Sequence, residues 1–449
     1  MRSSWEDTIA AIATPPGRGG VGVIRVSGPG VEEILHPLLR KIPTPRQAHF
    51  VGFWDTAGER LDQGIAIYFP GPQSFTGESV LELHAHGNPV LLDLILARLF
   101  ELGCRPARPG EFTERAFLNN KIDLAQAEAV ADLINAETHQ GVRAANRSLE
   151  GEFSKRIHAL VESCIQLRLF VEAAIDFTDE DIDFMSDAGV AAKLQSLNDD
   201  LAAVASASRQ GALLREGMTI VLAGKPNAGK SSLLNLLAGR ESAIVTPIPG
   251  TTRDTLREHI ELQGIPLHII DTAGLRNETD DPVEKEGIRR ARQAFETADH
   301  IVILVDDRYP DDLIEVMKEL PEDRSYVVLR NKIDLSGNPA GIAEDGRHIE
   351  IRLSLKTGTG IENLMQYLLR RTHQTPSNEG LFMARRRHLD ALLNAQDEIK
   401  LSEMAMVSGQ FELLAEHLRR AQEHLSEITG EFSSDDLLGR IFSNFCIGK

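Results

Sequence analysis

Residues 224–231 read Gly-Lys-Pro-Asn-Ala-Gly-Lys-Ser, a full match to G-x-x-x-x-G-K-[ST]. An apolar run at 218–223 precedes them and a helix-like run at 232–237 follows. That strand–loop–helix setting is the context in which this pattern binds phosphate. Glycines let successive backbone N–H groups turn inward on a triphosphate. Lys230 is expected at the β and γ oxygens and the Ser231 hydroxyl on Mg²⁺. Asn227, Ala228, Gly229 and Ser232 complete the expected lining. A bare glycine turn before a helix would need no companion motifs, yet three follow in order.

The second is Asp271-Thr272-Ala273-Gly274, after the strand-like run 267–270. An Asp at a strand end holds the metal through water, and the glycine N–H can meet the γ-phosphate. The third is Asn331-Lys332-Ile333-Asp334, after the strand-like run 326–329. One carboxylate at Asp334 can accept from both N1–H and N2–H₂ of guanine. Adenine offers no such donor pair, so the nucleotide is GTP and not ATP. A buried carboxylate left unpaired makes such discrimination strong, about 10⁴-fold. The fourth is Ser354-Leu355-Lys356, where a backbone N–H can meet guanine O6. Together these predict a GTPase domain.

Two details set this GTPase apart. The residue after Asp-Thr-Ala-Gly is Leu275, where Ras-like proteins use a Gln to orient the attacking water. Leu cannot do so. The stretch 246–254, Thr-Pro-Ile-Pro-Gly-Thr-Thr-Arg-Asp, is a candidate first switch with Thr252 as the second Mg²⁺ ligand. The Asn227 amide oxygen and nearby carbonyls would make an oxygen-only cage. Such a cage can hold a monovalent cation where an arginine finger would put its charge. The alternative for Asn227 is a loop residue that tolerates the turn.

The chain has 449 residues, enough for roughly three domains. Its net charge of −19 argues against broad electrostatic binding of nucleic acid. Any RNA contact is then a local patch or is shared with a partner. Cys104, Cys164 and Cys446 lie far apart and no C-x-x-C occurs, so neither a zinc knuckle nor a disulfide framework is indicated. No run of about 18 apolar residues suggests a membrane span. Residues 1–7 have no apolar signal core, and a cytoplasmic location is expected.

The fold class expected is multidomain. Residues 1–118 are Gly- and Pro-rich with short apolar runs and one helix at 89–102, a small α+β domain. Residues 119–215 turn helical; Leu149, Phe153, Ile157, Leu160, Cys164, Leu167 and Val171 recur three or four apart. An α/β P-loop GTPase domain spans 216–378. The helical pattern returns at 379–449 with Phe411, Leu414, Leu418, Ala421, Leu425 and Ile428. The simplest architecture is a discontinuous helical domain with the GTPase domain inserted.

Three motifs fail on inspection. Residues 17–22 fit G-x-G-x-x-G, but a strand-like run follows where a dinucleotide site needs a helix. Residues 179–183 start like a calcium loop, but Phe184 and Val190 stand at its sixth and twelfth positions. Cys446-Ile447-Gly448-Lys449 fits C-a-a-X only formally, since Gly is not aliphatic.

At full length the chain resembles the MnmE (TrmE) family of tRNA-modification GTPases. The resemblance rests on Asp7-Thr8-Ile9-Ala10, the stretch from Ala13-Thr14-Pro15 to Gly22, Gly110-Glu111-Phe112-Thr113 with Arg115-Ala116-Phe117, and Asp123-Leu124-Ala125-Gln126-Ala127-Glu128-Ala129. It continues through Gly250-Thr251-Thr252-Arg253-Asp254 to the terminal Phe445-Cys446-Ile447-Gly448-Lys449. It implies a homodimer that works with an MnmG-type FAD protein in a heterotetramer. The pair adds a carboxymethylaminomethyl or aminomethyl group to carbon 5 of the tRNA wobble uridine. A tetrahydrofolate derivative, the 5-formyl or 5,10-methylene form, supplies the one-carbon unit.

By the same resemblance Arg25, Glu82, Lys121 and Lys449 are folate contacts. From the residues alone, Arg25 interrupts the apolar run 21–26, where a charge needs a partner. A folate carboxylate or pterin edge can be that partner; so can an internal salt bridge. The resemblance also implies potassium ligands at Asn227, Thr246, Ile248 and Thr251. It places the water-orienting glutamate at Glu284, with Glu278 and Glu286 as alternatives. Cys446 is implied as a thiol near the folate site; a small packing residue is the alternative. The run Arg385-Arg386-Arg387-His388 suits tRNA phosphate or a solvated helix face. The rival to this reading is a ribosome-assembly GTPase switch, which would usually append a basic RNA-binding domain.

Overall fold

The structure, a computed structural model, describes residues 7–176, 188–240, 257–271, 295–296, 298–318, 320, 326–345, 348–371, 381–431, 435–443, 445–446 and 448. Contacts divide the chain into two compact units. One holds residues 1–135, 148–202 and 390–449; the other holds 136–147 and 203–389. Of the four divisions, those at 147/148, 202/203 and 389/390 fall within helices and that at 135/136 falls at a helix end.

The first unit contains a six-stranded sheet of β1 (Ile9–Ile12), β2 (Gly19–Ser27), β3 (His49–Trp54), β4 (Arg60–Phe69), β5 (Val80–Gly87) and β6 (Arg105–Pro106). Its order is β3-β4-β5-β2-β1-β6. Alternation along β2 buries Ile24 and Val26 on one face, against Leu81 and Leu83 of β5. Helices α1 (Val31–Leu39) and α2 (Pro89–Glu101) cover that face with Ile34, Leu35, Leu38, Leu92, Ile95 and Leu99. Asn88 caps α2 by accepting from Val90 N at 2.9 Å, and Pro89 fits the first turn, where its missing N–H is no loss. The sequence pattern gave α2 but not α1, because Pro37 lies inside α1 and Pro in a periodic run normally reads as a stop.

Helix α3 (Glu111–Leu118) carries the densest polar core of this unit. Arg115 and Glu111 are both fully buried. Arg115 Nη2 donates to Asp7 Oδ1 at 2.8 Å and Glu111 Oε1 at 3.1 Å, and Nη1 donates to Glu78 at 3.1 Å. Arg105 donates to Glu111 and Asp7 at 2.5 Å each. Burial alone would raise the Glu111 carboxyl, but Arg105, the Arg108 N–H and Arg115 hold it below the ordinary carboxylate range. The motif residues Asp7, Glu111 and Arg115 therefore tie the chain start and α3 to the sheet. Arg115→Ala is expected to cost about 3–5 kcal/mol, because it removes a fully buried guanidinium that bonds three carboxylates, one of them, Glu111, itself fully buried. Chemical denaturation reads this; a change under about 1 kcal/mol would show that the network is dispensable.

The remaining helices begin with α4 (Leu124–Asn135), α5 (His139–Leu149), α6 (Glu152–Asp176) and α7 (Ala188–Glu216). The next are α8 (Lys230–Arg240), α9 (Asp312–Met317), α10 (Ile333–Ser336) and α11 (Ile361–Arg371). The last are α12 (Arg386–Val407), α13 (Phe411–Thr429) and α14 (Asp435–Ser443). Helices α6 and α13 pack along one another. Their buried stripes are the two predicted ones, Phe153 to Val171 and Leu414 to Ile428. Leu149 instead ends α5, because Gly151 turns the chain at φ +84° before α6 begins.

The second unit is built on a seven-stranded sheet of β7 (Met218–Ala223), β8 (Arg257–Leu262), β9 (Ile265–Asp271), β10 (His300–Asp306), β11 (Tyr326–Asn331), β12 (Gly341–Asp345) and β13 (His348–Arg352). The order β12-β13-β11-β10-β7-β9-β8 is parallel except at its two edge strands. Ile301, Ile303 and Val305 pack on one face while Val302 and Leu304 pack on the other. Burial on both faces is why these strands read as unbroken apolar runs. Thr138 joins this unit by donating to Gly264 O at 2.8 Å in the β8–β9 turn.

Candidate guanine-nucleotide site

The phosphate loop lies where β7 hands over to α8, at the carboxyl end of the parallel strands. Ligands of open α/β sheets bind at that edge. Backbone shape fixes the loop: Gly224, Asn227 and Gly229 have φ of +148°, +63° and +116°. A Cβ on Gly224 would lie 2.4 Å from Leu304 O, and one on Gly229 would lie 2.4 Å from Asn331 Nδ2. Only glycine fits between this loop and the neighbouring strand ends. Lys230 Nζ donates to Gly224 O at 2.5 Å and Lys225 O at 3.3 Å. It therefore sits inside the loop it is expected to share with phosphate. Ala228 is buried, while Asn227, Ser231 and Ser232 are exposed.

The base-reading residues converge on the same edge. Asn331 is buried at the end of β11 and donates from Nδ2 to Ala228 O at 2.9 Å. Its Oδ1 accepts from Lys332 N at 2.8 Å and from Leu355 N at 3.1 Å. Lys332 Nζ bridges Asn227 O at 2.8 Å and Asp306 Oδ2 at 2.9 Å. One buried amide and one ammonium thus lock the phosphate loop to the base-reading loops. Buried Ser354 donates from Oγ to Asp334 Oδ1 at 2.6 Å. One detail differs from expectation: Asp334 is exposed and not buried. Of the Ser354-Leu355-Lys356 backbone, the Leu355 N–H is held by Asn331. The side chain of Lys356 is exposed.

Asp306 escaped the motif reading. Its carboxyl is held well below the usual range, first by Arg308 and then by Lys332. Lys225 was also passed over; it pairs with Asp312 at 2.7 Å and Glu315 at 2.5 Å on α9. The signal available was position: Asp306-Asp307 closes an apolar strand at the ligand edge of the sheet.

Of Asp271 only the backbone place is described, at the end of β9, in parallel register with Leu222 of β7. Thr246, Ile248, Thr251, Thr252, Thr272, Ala273, Gly274, Leu275, Glu284 and Lys449 lie outside the described residues. So do residues 179–183.

In the first unit, Arg25 and Glu82 are direct register partners on β2 and β5. Arg25 donates from Nε at 3.0 Å and Nη2 at 2.9 Å to Glu82 Oε1. The internal salt bridge is therefore present, and it remains about one quarter exposed. The Arg25 guanidinium lies 5.7 Å from the Phe75 ring and 5.8 Å from the Phe112 ring. Lys121 Nζ donates to Pro72 O at 3.1 Å and lines a separate cleft of about 510 Å³ with Asp123, Gln126, His158 and Glu431. The tail approaches the sheet: Gly110 N donates to Cys446 O at 3.3 Å. Gly448 lies so near β1 that a Cβ there would fall 2.5 Å from Ile12 O. Ile12 is next to Ala11, the β1 register partner of Arg25. Cys446 is exposed, whereas burial pushes the Cys104 and Cys164 thiols up to about 12. His388 is buried and accepts from Arg385 N at 3.1 Å, so of that basic run only Arg386 is exposed.

A parallel sheet with a Lys-bearing phosphate loop after one strand and an Asn-Lys-x-Asp loop after another defines a P-loop GTPase, an enzyme that hydrolyses GTP. The model described as MnmE helical domain matches residues 124–446, and that described as GTP-binding protein TrmE N-terminus matches residues 8–121. The chain belongs to the MnmE (TrmE) family. A relative from Methylococcus capsulatus, called tRNA modification GTPase MnmE, is 54% identical over 449 residues, covering 100% of both chains. Proteins of the same description are 57% identical in Yersinia pseudotuberculosis, over 99% of this chain and 100% of the relative, and in Pectobacterium atrosepticum, over 99% of each. Among the described residues no helix is long and apolar enough to cross a membrane.

Proposed function

We propose that this chain is a GTPase of tRNA modification that acts on carbon 5 of the wobble uridine with a tetrahydrofolate one-carbon unit. The observation that carries the GTPase half is the joining of Asn227, Ala228, Asn331, Lys332 and Leu355 into one bonded set. Ser231, exposed at the first turn of α8, would hold Mg²⁺ within the described loop, and that ion would supply neutralisation of the charge developing on the phosphates. Lys230 exchanges its carbonyl partners for phosphate oxygens. Hydrolysis drives rearrangement and does not supply the transferred group. The other half follows from the family, whose members carry tRNA modification in their names. It includes a homodimer, potassium stimulation and a flavoprotein partner. Nucleoside mass spectrometry of tRNA from a strain lacking the gene tests it. Unaltered wobble uridines would leave the ribosome-assembly switch as the better reading.

The folate half has its own support. Arg25 and Glu82 are paired side by side on neighbouring strands with the Arg25 guanidinium 5.7 Å from the Phe75 ring, and a pterin edge could exchange for part of that pairing. The tail reaches the same end of the sheet. Deleting residues 446–449 from the full chain is expected to weaken binding of formyl-tetrahydrofolate about tenfold, the loss of one charge-assisted hydrogen bond. Equilibrium dialysis measures this, and equal affinity in the two proteins would remove the tail from the pocket.

A further inference from the structure

We propose that Asp307 is a positioning residue for guanine recognition, holding in place the short turn that carries Asp334. The inference rests on reading Asp334 as the guanine acceptor. Asp307 follows the last residue of β10 and is 9% exposed. Its N–H donates to Asn331 O at 2.8 Å, which extends the β10–β11 pairing beyond its last register pair, Asp306 with Asn331. Its carboxylate takes two further donors on the same oxygen. Ser336 Oγ lies 2.5 Å from Asp307 Oδ2, and Asn338 Nδ2 lies 2.7 Å from it.

Ser336 ends the turn that carries Asp334, and Asn338 follows just after it. That turn is α10, four residues long and closed by Gly337 at φ +78°. One helical turn has too few internal hydrogen bonds to hold its own shape. Something outside it must fix where Asp334 points. Ser354 fixes one carboxylate oxygen directly, at 2.6 Å. Asp307 fixes the backbone from the other end, through Ser336 and Asn338. Without it the C-terminal half of the turn keeps only its own contacts, and Asp334 loses its fixed distance from the base. Lys332 turns to Asp306 and Asn227, so the two neighbouring acids divide the work. Asp306 anchors the lysine of the motif, and Asp307 anchors the turn behind it.

The test uses the full-length protein and two nucleotides, GDP and IDP. Inosine lacks the 2-amino group, one of the two donors Asp334 reads, so the ratio of their dissociation constants reports on Asp334 alone. A general loss of stability would lower both affinities together and leave the ratio unchanged. In Asp307→Ala, GDP binding is expected to weaken about tenfold, as for loss of a hydrogen bond to a charged group, and the GDP-over-IDP preference to narrow. Asp307→Asn keeps an oxygen acceptor and is expected to restore most of that preference. The double variant Ser336→Ala with Asn338→Ala removes the donors at the half-exposed end and should reproduce the narrowing if Asp307→Ala folds poorly. A wild-type preference that survives intact in both Asp307→Ala and the double variant overturns the positioning role while leaving Asp334 as the reader. A wild type that does not distinguish GDP from IDP overturns both.

Discussion

GTP turnover is expected to be far faster in potassium chloride than in sodium chloride at equal ionic strength. Leu275 cannot orient water, and the candidate switch stretch 246–254 carries one arginine, Arg253, which follows Thr252. The positive charge that an arginine finger would bring must come from elsewhere, and that charge is worth roughly 10³-fold or more in rate. On the proposed reading Asn227 would help supply it as a cation ligand. It is exposed at the top of the phosphate loop with φ +63°, and its carbonyl is held by Lys332 at 2.8 Å. The backbone is fixed at a position where the side chain is exposed. Cage size and carbonyl number favour potassium over sodium. Asn227→Ala is expected to abolish the salt difference with GTP binding largely kept. Asn227→Gly is the cleaner variant, since glycine accepts the left-handed backbone without strain and removes the same oxygen. Glu284→Ala is expected to slow turnover without removing cation-dependent pairing of GTPase domains. Equal wild-type rates in the two salts would sink the cation hypothesis and bring Arg253 forward.

The second large effect is expected at the base. Asp334→Asn removes the double acceptor for N1–H and N2–H₂ of guanine. Two hydrogen bonds to a charged group are worth at least about 3 kcal/mol together, so GTP affinity should fall about a hundredfold or more. Xanthine presents a carbonyl where guanine has its amino group, and the new amide can donate to it. Xanthosine triphosphate should therefore bind the variant better than GTP does. The exposure of Asp334 moderates the figure, because an open carboxylate that loses its partner regains water. Affinities measured for both nucleotides decide the matter; an unchanged GTP preference would take Asp334 out of its role and Asp307 with it.

The nucleotide motifs were legible because each is short and local. The phosphate loop needs glycines, a lysine and a serine at fixed spacing, and eight consecutive residues carry all of it. The strands β7 and β11 and the stripes of α6 and α13 were legible for the same reason: their periods appear within a few turns or residues. The long-range pairs were not. Arg25 in an apolar strand announced only that it needed a partner. The choice of Glu82, 57 residues away, was made by the antiparallel register of β2 on β5.

The sequence by itself determined the class of chemistry, the nucleotide and the family. Those depend on residue types at local spacings, which backbone geometry turns directly into turns, strands and helices. The tertiary structure alone decided which groups meet. It buried Arg115 against Asp7, 108 residues away, carried the tail to the end of β1, and gave the Leu355 N–H to Asn331. It also set Asp307, a residue outside every motif, beneath the turn that bears Asp334. A polar group takes whichever partner the packing of strand ends brings within about 3 Å, and that distance is fixed only when the sheets and helices have closed.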